Sequence, residues 1–171
     1  MGSNVLDLIE FLKRNASPDH TFQRLIPGLG EGPLECTWKD PVSAIEVNKF
    51  LQDNDWHFPE DYKQFLLKHN GAVLFQHPYY GGGTELLSLE QILLISKTYE
   101  QIPSICYPIA WTDHRIGAIC IDSVKCQQGE TPYLFFLDAM DHIEDAIPIP
   151  LTFTEWLDRL IICQGQEYWN W

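Results

Sequence analysis

Between Ile105 and Ile149 four apolar, strand-like runs follow one another with little chain between them. They cover 105–111, 116–121, 132–137 and 145–149, and turns at Asp113-His114, Gln128-Gly129 and 138–141 separate them. A parallel pair needs a crossover of a dozen or more residues, usually a helix. Runs this closely spaced imply antiparallel pairing, and they set the expected class before any other part of the chain is read.

Helical patterns flank the strands. Val5, Leu8, Ile9 and Leu12 share one face of a helix over about 4–14. A second helix is expected from Asp40 as N-cap and Pro41 as first helical residue, burying Ala44, Val47, Phe50 and Leu51. A third opens at Phe58-Pro59-Glu60-Asp61, packs through Tyr62, Phe65, Leu66 and His69, and meets a left-handed stop at Asn70-Gly71. Ala72–Phe75 and Thr84–Leu87 read as short strands. Capping-box spacing at Ser88/Gln91 and Thr152/Glu155 starts a fourth helix, to about Glu100, and a closing one with Phe153, Trp156, Leu157, Leu160 and Ile161 inward.

Residues 15–39, broken by Pro18, Pro27, Gly28, Gly30, Gly32 and Pro33, read as a long irregular insertion. A structureless loop of that length is unusual, so it hides a short strand or serves a function. The terminal Trp169 and Trp171 are expected to fold back onto the core. The expected fold is α+β: a mostly antiparallel sheet packed against N-terminal helices and a closing C-terminal helix, in one domain over 1–171.

Charge narrows the function. Eleven Lys and Arg face twenty-four Asp and Glu, a formal net charge of −13. Such a surface repels phosphate backbones and anionic headgroups, so neither nucleic acid nor membrane is an expected partner. No run reaches the roughly 18 apolar residues of a membrane span. Cys36, Cys106, Cys120, Cys126 and Cys163 are odd in number and form no C-x-x-C pair. That suits reduced thiols in a cytoplasmic protein. The N-terminus lacks the basic region and uninterrupted apolar core of a signal peptide.

No pattern for chemistry emerges. Gly81-Gly82-Gly83 runs into Thr84-Glu85 where a phosphate loop needs Lys-Ser/Thr. Six histidines form no H-x-x-x-H pair, there is no G-x-S-x-G, and Cys106 and Cys120 fall in strands. Glu60-Asp61 is explained by helix capping and Glu144-Asp145 by a solvated turn. No catalytic residue, cofactor or metal is expected.

A surface argument remains. Asp53, Asp55, Glu60 and Asp61 cluster without an intervening Lys or Arg, as do Asp138, Asp141, Glu144 and Asp145. Tyr79 and Tyr80 stand in a turn-rich loop. Aromatic anchors beside acidic rims suit a binder of a basic protein, and these ten residues are the candidate partner-binding set.

Trp56-His57-Phe58-Pro59-Glu60-Asp61-Tyr62-Lys63-Gln64-Phe65-Leu66-Leu67-Lys68-His69-Asn70-Gly71 resembles the signature of the SUKH superfamily, with Phe58 in place of a leucine. Glu85–Ile92, Ile109–Asp122, Pro132–Asp138 and Phe153–Leu160 resemble its later parts in order, so the resemblance spans about 40–162. Near Asp113-His114-Arg115-Ile116 only Gly117 remains of the family's usual glycines. The superfamily includes fungal cell-wall-synthesis regulators and bacterial toxin-immunity proteins. The resemblance implies a non-enzymatic immunity protein that neutralises a cognate toxin, often a basic nuclease domain, by stoichiometric binding as a monomer or weak homodimer. The alternative is a regulatory or scaffold module like the fungal members. A small-molecule or enzymatic role is a third.

Overall fold

The computed structural model describes residues 4–16, 21–26 and 30–171. Its helices and strands alternate as α1 (Val5–Asn15), β1 (Thr21–Ile26), β2 (Gly30–Trp38), α2 (Ala44–Asn54), α3 (Glu60–Lys68), β3 (Ala72–Gln76), β4 (Thr84–Leu86), α4 (Leu89–Thr98), β5 (Cys106–Thr112), β6 (Gly117–Asp122), α5 (Ser123–Gln128), β7 (Leu134–Asp138), β8 (Ile147–Ile149) and α6 (Phe153–Ile162). The strands form one sheet in chain order, β1 to β8, each antiparallel to the next. The α+β class with an antiparallel sheet is therefore observed.

One sheet face carries the main core. Tyr107, Ile109, Ile119, Ile121, Leu134 and Phe136 meet Ile9 and Leu12 of α1, Tyr62, Phe65 and Leu66 of α3, and Phe153, Trp156 and Leu160 of α6. Aromatic rings knit the helices: Tyr62 and Phe153 meet edge to face with centroids 5.1 Å apart. The other face holds a smaller cluster of Ile102, Cys106, Ala118, Cys120 and Leu137, covered by Ile95, Tyr99, Ile143 and Ala146.

Several expectations are corrected. The segment 15–39 is not irregular throughout: β1 and β2 form a hairpin, and β2 joins the sheet through Glu35, Thr37 and Trp38. Its stretches 17–20 and 27–29, with Pro18, Pro27 and Gly28, lie outside the described residues, as do residues 1–3. Helix α2 starts later than Asp40-Pro41. Its N-cap is Ser43, in a reciprocal capping box with Glu46, while Asp40 and Val42 pair with the chain at Asn70 and Leu66. A reciprocal box satisfies two amide groups, which a lone Asp40 cap would not.

Asn70-Gly71 also works differently. Helix α3 ends at an extended His69, and Asn70 Oδ1 accepts the Leu89 N–H of α4 at 3.0 Å. Gly71 has φ +104°, and a Cβ there would stand 2.7 Å from the Leu86 carbonyl oxygen. The pair sets the close approach of this corner to β4 and α4. Of the terminal tryptophans, Trp169 packs against Trp156 and Phe136, whereas Trp171 is 84% exposed. The last residue lies past the 3-10 turn Tyr168–Asn170, beyond the reach of the core. Helix α5 was not expected. It has only six residues, held by an Asp122 N-cap and a left-handed Gly129.

Candidate partner-binding surface

Antiparallel pairing brings alternate connections to the same end of the sheet. The loop 77–83, the turn 113–116 and the turn after Asp138 share one end, because Leu74 pairs with Thr84, Thr84 with Thr112, and Gly117 with Asp138. The segment following α6 closes under this end. Glu167 accepts from the backbone N–H groups of His114 and Arg115 at 3.1 and 3.0 Å, and from the Asn170 amide at 3.1 Å. This carboxylate is 7% exposed, and burial pushes its pKa upward against those hydrogen bonds.

The tyrosine loop is locally fastened. His77 and Gly81 exchange two backbone hydrogen bonds, at 2.9 and 3.0 Å. The His77 ring Nδ1 accepts from the N–H groups of Tyr79 and Tyr80 at 3.1 and 3.2 Å. An accepting Nδ1 places the neutral ring's proton on Nε2. The side chains of Tyr79 and Tyr80 remain 88% and 80% exposed.

Next to that loop, Arg115 clamps the neighbouring turn. Its Nε donates to Asp138 at 2.7 Å, one terminal nitrogen to Asp141 at 3.2 Å and the other to Asn170 at 3.3 Å. The Met140 N–H and then the Arg115 guanidinium hold the Asp138 carboxyl below the usual range. Asp138 and Asp141 are thus engaged within the chain. Glu144 and Asp145 follow in the exposed 3-10 turn Ile143–Asp145.

The other acidic group lies at the opposite end. Trp56 Nε1 donates to the Ser104 carbonyl at 2.9 Å, and the His57 N–H to Ser123 Oγ at 2.7 Å, where β6 has finished. Asp55 and Glu60 are exposed on that connection. Asp53 is paired with Lys49 at 2.6 Å. Asp61 is turned inward onto Thr154. The ten candidate residues therefore divide. Tyr79, Tyr80, Asp138, Asp141, Glu144 and Asp145 gather near one end of the sheet, and Asp53, Asp55, Glu60 and Asp61 near the other.

Two concavities accompany these ends. A cavity of about 310 Å³ opens beside Tyr80, walled by the glycine loop, Asp113, His114 and residues 164–167. A groove of about 380 Å³ runs along the second sheet face between Pro103, Ile105, Lys125, Phe135 and Ile143. Asp113 and Glu167, which line the first cavity, are not among the ten candidate residues. Asp113 is only a turn residue in sequence, and the contact of Glu167 with His114 spans 53 positions.

Thiol chemistry finds little support. Burial pushes Cys106 up to about 12 and Cys126 to about 11, and Cys120 well above its usual value. All three are protonated and poor nucleophiles near neutrality. Among the described residues no group of three or more His, Cys, Asp or Glu is placed to hold a metal ion. No helix among them is long and apolar enough to cross a membrane.

The profile of the SMI1/KNR4 family (SUKH-1) matches residues 41–159, from just before α2 to within α6. The chain belongs to the SUKH-1 family. This SUKH-1 chain is also 37% identical over 133 residues to the uncharacterized protein YnaB of Bacillus subtilis (strain 168), covering 78% of the chain and 85% of YnaB. It is 30% identical over 140 residues to the uncharacterized protein YobM of the same organism, covering 78% of the chain and 72% of YobM. The SUKH-1 match begins after β1 and β2, so that hairpin and the tail beyond 159, with Glu167 and Trp171, are additions to the matched region.

Proposed function

We propose that this SUKH-1 protein is a bacterial immunity protein of the cytoplasm that neutralises a cognate toxin by stoichiometric binding, without catalysis. The observation that carries the reading is the pair Tyr79 and Tyr80, 88% and 80% exposed on a loop that its own backbone and His77 hold in place. Exposed aromatics on a pre-ordered loop bind without a large ordering cost. Tyrosine is also a favoured anchor of protein interfaces.

The charge fits a basic partner. A net charge of −13 steers a cationic domain toward the surface, and nucleases that grip phosphates are commonly cationic. The acidic groups serve attraction more than anchoring. Asp138 and Asp141 are already partnered by Arg115, which leaves Glu144, Asp145, Asp55 and Glu60 as the more open charges.

The test is affinity capture from the source cell at low and high salt, with wild type and a Tyr79→Ser/Tyr80→Ser variant. The expected result is one basic toxin domain in a one-to-one complex, weakened by salt and lost with the variant. Co-expression should then restore growth to cells making that toxin. Several unrelated regulatory proteins and no toxin would replace this reading with the regulatory-module one.

A further inference from the structure

The cavity beside Tyr80 is lined by two carboxylates and by the imidazoles of His77 and His114. Asp113 and Glu167 line it, and no lysine or arginine does so among the described residues. The cation nearest in sequence, Arg115, is committed elsewhere. Its guanidinium lies on Asp138, Asp141 and Asn170, 5.3 Å from the Phe136 ring centre.

Asp113 is exposed and has no ion pair or side-chain hydrogen bond within the described residues. The glycine loop closes on it: a Cβ at Gly82 would stand 3.3 Å from Asp113 Oδ2. Glu167 lies deeper; its oxygens accept from the backbone N–H groups of His114 and Arg115 and from the Asn170 amide, all uncharged donors, and burial still raises its pKa. The ionised form of such a carboxylate gains from an incoming positive charge. Tyr80, on the rim, offers an aromatic face.

We propose that this cavity receives an arginine side chain of the basic protein partner, its guanidinium held by the carboxylates of Asp113 and Glu167 and its plane covered by Tyr80. The inference rests on the partner-binding reading above and names the group that the partner inserts. A guanidinium suits the site better than an ammonium, because it is planar, pairs with carboxylates through parallel N–H groups and stacks on aromatic rings. At about 310 Å³ the space sits at the small end of ligand pockets, enough for one long side chain. An anion would meet two carboxylates and, among the described residues, no lysine or arginine.

The test follows backbone amide NMR shifts of the full chain during titration with N-acetyl-arginine amide. N-acetyl-citrulline amide serves as the uncharged control. Saturable shifts are expected at His77, Gly81, Gly82, Gly83, Asp113 and Glu167. Citrulline should bind about tenfold more weakly, as should the arginine probe to an Asp113→Asn variant. Asp113→Glu, which keeps the charge, should retain most of the response and guards against a folding defect.

Absence of saturable shifts, equal response to citrulline, or an unaffected Asp113→Asn variant would overturn the inference. A captured basic partner whose affinity ignores Asp113→Asn would also overturn it and leave the partner reading intact. Probe binding with no basic protein captured would sink the partner reading and point to a free guanidinium compound as the ligand.

Discussion

Asp61, in the first turn of α3, caps α6: its Oδ2 accepts the Thr154 backbone N–H at 2.9 Å and the Thr154 hydroxyl at 2.8 Å. The neighbouring amides of α6 are satisfied as well, Phe153 by the Tyr133 hydroxyl and Glu155 by Thr152. Asp61→Ala therefore acts on the fold. The expected loss is about 1–2 kcal/mol of unfolding free energy, read as a lower urea midpoint. Partner affinity, compared at equal folded fraction, should stay where it was.

Tyr62, on the same helix, is fully buried, and its hydroxyl has no hydrogen-bond partner among the described residues. Burial pushes the phenol pKa far above its usual value. Tyr62→Phe removes an unmet polar atom while keeping the ring contacts with Phe58, Phe65 and Phe153. The variant should be more stable by about 1 kcal/mol. A drop in melting temperature would mean that the hydroxyl is satisfied after all.

His69 joins α3 to α1 and to the start of α2's approach. Its Nδ1–H donates to the Lys39 carbonyl at 2.7 Å, so Nε2 is the acceptor for the Lys13 ammonium at 2.9 Å. Burial, with help from Lys13 and Lys68, holds its pKa below the usual value of 6.5, against the opposing Lys39 contact and Glu10. The sign follows directly. A depressed folded pKa gives stability that is fully present above the unfolded value of about 6.5 and is lost as pH falls through the folded value. Urea midpoints should therefore decline from pH 7 toward pH 5, and His69→Gln should flatten that decline.

Exposure separates the two kinds of candidate partner contact. Tyr79→Ser/Tyr80→Ser should change stability by no more than about 0.5 kcal/mol, since both rings stand in solvent. Its cost should appear in the dissociation rate of the complex, about tenfold or more. Charge reversal at Asp55 and Glu60 should instead slow association and reduce its salt dependence. Stopped-flow mixing and surface-bound kinetics distinguish the two.

Local signals located much of this fold. The apolar runs that became β5, β6 and β7 lie within one or two residues of their expected bounds, and the boxes at Ser88/Gln91 and Thr152/Glu155 are both formed. What escaped depended on distant partners. Gly30-Glu31-Gly32-Pro33 has no strand alternation, and β2 gains its place by pairing with β1 and β3. The Ser43/Glu46 box was hidden by the stronger-looking Asp40-Pro41 signal.

The candidate surface was read less completely, for a related reason. Sequence lists charges but not their neutralisation. Asp138 and Asp141 look like an open acidic cluster until Arg115, 23 and 26 positions away, is seen between them. Tyr79 and Tyr80 were legible because a turn-rich loop keeps exposed what it carries. Asp113 and Glu167 became visible only when the segment after α6 was placed beneath the 113–116 turn.

The sheet's strand order has a consequence for how such a protein can change. Neighbours in the sheet are also neighbours in the chain, so no strand is inserted between two consecutive ones. The 77–83 loop and the 113–116 turn can each gain or lose residues without rethreading the rest. On the partner-binding reading proposed above, specificity for a new protein partner is acquired one connection at a time, over a core that registers none of the changes.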